Sequence, residues 1–153
     1  MKAWNPSVRV QRDAFDLSEE SRRLTQGRTD VGAVVAFTGI CRDEAGTLAA
    51  LELEHYPGMA EEEIARIARD AAKRWPLLGL TIIHRSGSIR PGEPIVLVVT
   101  ASGHRQAAFE AASFLMDYLK TRAPFWKKEH RADGSQGEWI AAKDTDDEAA
   151  GKW

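Results

Sequence analysis

The sequence predicts one α+β domain, and three observations carry that reading. The chain has 153 residues, the usual size of a single domain. Between Leu48 and about Lys128 the apolar residues change from a period of two to a helical period and back. The resulting order is strand, helix, strand, strand, helix, strand, a split βαβ pattern with two helices on one face of a mainly antiparallel sheet. Finally, 43% hydrophobic and 29% charged residues exclude a disordered or fibrous chain. At this length roughly two-thirds of the unfolded surface is buried on folding, so no disulfide or metal is needed to hold a core.

The elements follow in order. Val8 to Val10 is a short extended piece. Asp16, Ser18, Glu19 and Glu20 place capping and acidic residues at the start of a short helix that Gly27 ends. Residues 32–39 read as a buried strand closed by a glycine. Leu51, Leu53 and His55 alternate with Glu52, Glu54 and Tyr56, the pattern of a half-buried strand, and Pro57-Gly58 turns the chain. Ile64, Ile67, Ala68, Ala71 and Trp75 recur at helical spacing until Pro76. Leu80 to His84 is a strand. Residues 91–94 make a tight connection to a second strand, Ile95 to Thr100, apolar on both faces and therefore central. Ala108, Ala111, Ala112, Leu115, Tyr118 and Leu119 form the stripe of a long helix that ends before Pro124. Phe125 to Lys127 and Glu138 to Ile140 are short terminal strands, and residues 144–153 form a loose acidic tail.

Charge and cysteine usage narrow the function. With 21 basic and 23 acidic residues the net charge is -2, which gives no overall attraction to nucleic acid or a membrane surface. The single cysteine, Cys41, fits a reducing, cytoplasmic location. The N-terminal segment has no apolar stretch of signal-peptide type, and the longest apolar run, 95–101, is far too short to span a bilayer. His55, His84, His104 and His130 fall on separate elements without ligand spacing, so no metal or resident cofactor is expected. No phosphate-binding glycine loop, dinucleotide fingerprint or Ser/His/Asp motif occurs.

Three loci carry positive charge where chemistry is plausible. His104 and Arg105 open a helix, where a cation opposes the macrodipole by a few tenths to about 1 kcal/mol unless an anion binds there; the alternative is that Arg105 faces solvent and His104 packs on the sheet. Residues 120–131 hold Lys120, Arg122, Lys127, Lys128 and Arg131 against Glu129, with Phe125 and Trp126 between. A strand there puts Phe125 and Lys127 on one face, where desolvation lowers a lysine pKa toward neutrality. Basic and aromatic residues together also suit single-stranded nucleic acid. The third locus is Arg42, in a turn after a strand; beside it Cys41 is either a reactive thiolate or a small buried residue. Clustered cations point to an anionic substrate.

The chain resembles the large, catalytic subunit family of molybdopterin synthase. The resemblance rests on residues 32–39 with Arg42, 53–59, 74–76, 83–87, 91–93, 102–105, 108–111 and above all the irregular run 116–127, and it spans roughly residues 30–145 in order. Residues 1–30 match least. It implies an α/β-hammerhead type of fold and a homodimer within a heterotetramer that carries a small ubiquitin-like sulfur-carrier subunit at each end. It implies that the carrier's C-terminal Gly-Gly thiocarboxylate enters a pocket and gives sulfur to cyclic pyranopterin monophosphate, two transfers building the dithiolene. The catalytic lysines of the family fall on Lys120 and Lys127; its substrate-binding residues fall on Phe37, Arg42, His104 and Arg105, with Lys143 aligned to a basic residue given across the dimer. A lysine at such a site moves protons or, deprotonated, accepts the carrier's acyl group. The competing reading is a ferredoxin-like module that binds a partner's tail or RNA without catalysis.

Overall fold

The structure, a computed structural model, describes residues 4–141. Ten elements follow one another: β1 (Ser7–Gln11), α1 (Leu17–Thr25), β2 (Ala33–Ile40), β3 (Leu48–His55), α2 (Met59–Arg74), β4 (Leu77–Arg85), β5 (Gly87–Ile89), β6 (Pro94–Ser102), α3 (Arg105–Thr121) and β7 (Phe125–Arg131). They form two sheets, one of order β1-β4-β6-β2 and one of order β5-β3-β7.

The larger sheet is built around the two strands whose sequence is apolar on both faces. Leu80 and Ile82 of β4 and Val96 and Val98 of β6 pack under α2 and α3 together with Ile64, Ile67, Ala68, Ala71, Ala111 and Leu115. On the opposite face Ile83, Leu97 and Val99 meet Phe15 and Leu24, at the two ends of α1. Both faces of the central pair are thus covered, with α2 and α3 on the same side as the sequence predicts. β1 runs parallel to β4, while β2 and β4 flank β6 antiparallel. Phe114 is fully buried although it lies off the expected stripe; it meets Trp75 edge-on at 5.2 Å, and the Arg74 guanidinium sits 4.6 Å from its ring centre. The end of α2 is thereby fastened to the middle of α3.

The pairing of β3 and β7 corrects the one-sheet reading. They leave the larger sheet and pair with each other, from Leu48 opposite Arg131 to His55 opposite Phe125, with β5 on the far side of β3. The physical reason is their composition. Leu53 and Ile89 close a small core with Cys41, while Glu52, Glu54 and Lys128 need water, so these strands have one face to bury and cannot serve as central strands. β5 was not foreseen. It forms because Gly87, at a φ of 85° that favours glycine, turns the chain directly out of β4. The buried Arg85 guanidinium holds that corner, donating to the carbonyls of Arg12 and Pro94 at 3.0 Å each and to Glu93 at 3.2 Å. The expected strand at 138–140 is a single bridge, in which Ile140 exchanges backbone hydrogen bonds of 2.8 and 2.9 Å with Lys127.

Candidate functional site

The seam between the two sheets, closed at one end by the last turns of α3, holds two adjoining cavities. The smaller, about 140 Å³, is lined mainly by apolar side chains: Phe37 of β2, Leu51 and Leu53 of β3, Ile95 and Val96 of β6, Met116 and Leu119 of α3, and Phe125 of β7. The larger, about 360 Å³, is walled by the loop 41–48 with Arg42, Asp43, Glu44 and Thr47, and by Glu129 and Ile140. Lys120 and Lys127 line both. Each is there for a local reason. Lys120 stands in the last turn of α3, where the macrodipole favours a cation. Lys127 alternates with Trp126 and Lys128 along β7, so it shares the inward face with Phe125, opposite Leu53, and is half-buried.

The loop that carries Arg42 is ordered by Asp43, whose carboxylate accepts hydrogen bonds of 3.1 Å from the amides of Thr47 and Leu48. Arg42 itself is exposed and pairs with Glu44 at the rim. Phe37, at 40% exposure, stands in the wall of the small cavity. Gly39 keeps that wall thin, since a β-carbon there would lie 2.7 Å from a methyl of Val96.

Phe37, Arg42, Lys120 and Lys127 are therefore brought together, whereas His104 and Arg105 are not. His104 caps the start of α3 with its backbone extended and no side-chain capping bond, and Arg105 is the first helical residue. Both side chains are exposed, without a hydrogen bond or ion pair to another described residue. Fifteen residues of helix separate Arg105 from Lys120, a rise of about 22 Å, so within one chain they cannot hold one small anion together. Lys143 and the acidic tail lie outside the described residues. The positive segment 120–131 also divides: Arg122 lies over the Tyr118 ring at 5.2 Å, Lys128 lies over Trp139 at 5.3 Å and Arg131 bonds to Ser135, which leaves Lys120 and Lys127 of its five cations at the cavities. A continuous nucleic-acid track is not formed. Cys41 is 2% exposed, and burial, with Glu93 and Asp43 nearby, pushes its thiol above the ordinary range, so the reactive-thiolate alternative fails.

Sequence reasoning missed His84 as a cavity residue. It is the last residue but one of β4, has 9% exposure and lines the small cavity. Burial first, then repulsion from His55, Lys127 and Lys120, pushes its pKa down to about 4, against the hydrogen bond to Arg85 that opposes the shift. The signal was present: in a strand of period two, His84 falls on the same face as Leu80 and Ile82, which is a place for a neutral ring.

The family model described as MoaE protein matches residues 10–122. A molybdopterin synthase catalytic subunit from Mesorhizobium japonicum is 72% identical over 148 residues, 97% of this chain and 93% of that protein. One from Pseudomonas aeruginosa is 50% identical over 149 residues, 96% of this chain and 98% of that protein. Among solved structures, a molybdopterin biosynthesis MoaE protein from Burkholderia ambifaria shares the fold with a TM-score of 0.83 at 45% identity, over 97% of each chain. Molybdopterin synthase from Staphylococcus aureus gives a TM-score of 0.77 at 29% identity, over 86% of this chain and 95% of that one.

Proposed function

The chain belongs to the MoaE family, the catalytic subunits of molybdopterin synthase, and we propose that its two adjoining cavities divide that enzyme's sulfur transfer between them. The apolar cavity takes the Gly-Gly tail of the small sulfur-carrier subunit, with the thiocarboxylate at its end turned toward the lysines. The polar cavity takes cyclic pyranopterin monophosphate, with Arg42 beside the phosphate. The observation that carries this reading is that Lys120 and Lys127 line both spaces. Two anions repel one another, and fixed positive charge at the boundary lets the sulfur of one approach a carbon of the other. The same lysines serve the proton transfers that accompany opening of the cyclic phosphate and release of the carrier's acyl group.

His104 and Arg105 complete the substrate site from a second copy of the chain, and Lys143 joins them in the same way. The exposure of His104 and Arg105, their lack of partners among the described residues and the uncapped first turn of α3 support this assignment, because an anion at that turn reverses an unfavourable charge–dipole contact. A closed twofold pair is the simplest assembly that satisfies both pockets, with one carrier on each. The lone, unpaired Cys41 supports a reducing cytoplasm as the location.

The test is incubation with thiocarboxylated carrier and the pterin precursor, followed by detection of the dithiolene product. Lys127→Arg separates the catalytic reading from a binding module. A module that only needs charge keeps its function, whereas proton transfer through the lysine is lost.

A further inference from the structure

The polar side chains of the small cavity are unequal in kind. Lys120 and Lys127 bring ammonium groups, which only donate hydrogen bonds. The remaining nitrogen or oxygen side chain among its lining residues is His84. Its Nδ1 lies 2.8 Å from the carbonyl oxygen of Arg85. A carbonyl has no proton to give, so Nδ1 carries the hydrogen and donates, and in the neutral ring Nε2 bears an unshared pair. The ring is held flat against Phe125, with centroids 3.8 Å apart and 14° between planes, so turning it sacrifices both the stack and the Arg85 bond.

Nε2 meets no partner among the described residues, yet the one side-chain polar atom sealed from solvent without a hydrogen bond is on Glu61. Nε2 therefore keeps an opening, and the cavity that the ring lines supplies it. A glycine tail pushed into an apolar space has no side chains, but its backbone N–H groups lose water. Each one left unpaired there weakens binding. The lysines cannot relieve this.

Resting on the carrier reading above, we propose that His84 Nε2 accepts a hydrogen bond from a backbone N–H of the carrier's glycine tail and so sets the depth at which the terminal thiocarboxylate meets Lys120 and Lys127. A pterin also offers N–H donors, but the larger, polar cavity suits it, and the two sources are separable.

The experiment compares carriers with an ordinary amide tail and with a tail in which ester oxygens replace the terminal N–H groups, made by ligation. Binding is measured by calorimetry to the wild-type chain and to His84→Asn, which retains a donor near Nδ1 and removes the acceptor at Nε2. The ester tail and His84→Asn should each weaken binding three- to tenfold, and together should be no worse than the larger single loss. His84→Gln, which returns an oxygen near Nε2, should recover the preference for the amide tail, and it serves also if the asparagine variant does not fold. Equal binding of both tails by wild-type protein, independent losses, or a His84→Asn defect confined to the pterin overturns the role of His84 alone. Failure of wild-type protein to bind either tail overturns the carrier reading beneath it.

Discussion

The two ends of α3 carry positive charge for opposite reasons. At the C-terminal end Lys120 agrees with the macrodipole, sits beside a half-buried Lys127 and faces cavities that the two sheets complete within one chain. At the N-terminal end the Arg105 cation opposes the macrodipole, and its side chain and that of His104 lie exposed without a partner among the described residues. On the reading proposed above, one end is a finished site and the other a half-site, which accounts for substrate-binding cations spread over about 22 Å of one helix.

Several substitutions break or sharpen this contrast. The largest effect belongs to the finished end: Lys120→Ala or Lys127→Ala should lower dithiolene formation by about 10²–10⁴-fold, with stability changed by no more than about 0.5 kcal/mol. Turnover measured beside thermal melting decides it. Mixing is next. Lys127→Ala protein, nearly inactive, and Arg105→Ala protein, impaired at limiting precursor, should after subunit exchange hold wild-type pockets at roughly a quarter of sites and exceed either parent in activity if the half-site serves a partner. No recovery, with exchange verified by mass spectrometry, would put both ends to work in one chain.

At the finished end, His84 makes stability depend on pH. Its folded pKa of about 4 lies below the ordinary 6.5, so the unfolded chain takes up the proton first. The stability given by the neutral ring is full above about pH 6.5 and is lost as pH falls toward 4, by on the order of 3 kcal/mol. Urea unfolding at pH 7 and pH 4.5 should show this loss in wild-type protein and a smaller one in His84→Gln; parallel losses would contradict it. At the half-site, Arg105→Ala should weaken binding of the pterin phosphate by about 1.5–3 kcal/mol and leave carrier binding intact, as read by calorimetry. The smallest effect has the opposite sign: the same variant, without substrate, should be more stable by about 0.3–1 kcal/mol, because a cation leaves the helix start. Loss of stability instead would make Arg105 a structural residue.

The sequence disclosed the helices and the central strands because their signals are local. Ile64 to Ala71 repeat at helical spacing, and residues 95–100 are apolar on both faces wherever the chain places them. It also disclosed Lys127 beside Phe125, since period two needs no tertiary knowledge. It did not disclose that β3 and β7 leave the larger sheet, because a half-buried strand has the same alternation in either sheet and only competition for the central places decides. It did not separate Arg105 from Lys120 either, since spacing along a chain does not say which copy of the chain completes a pocket. His84 was overlooked because a neutral histidine looks in sequence like any core residue; only the Arg85 carbonyl and the Phe125 stack identify the side of the ring left open.

Gly39 constrains how this site can change over generations. A methyl group there would meet Val96 at 2.7 Å, within the wall of the small cavity, so an alanine at 39 is harmful in the present background. After Val96→Ala the same step has room, while Val96→Ala by itself leaves a void in the larger core. The two changes therefore have a preferred order and a joint effect unlike their sum. A lineage that alters the width of this wall must pass through a weakened intermediate, and the shape of the cavity is guarded by that history as much as by the reaction it serves.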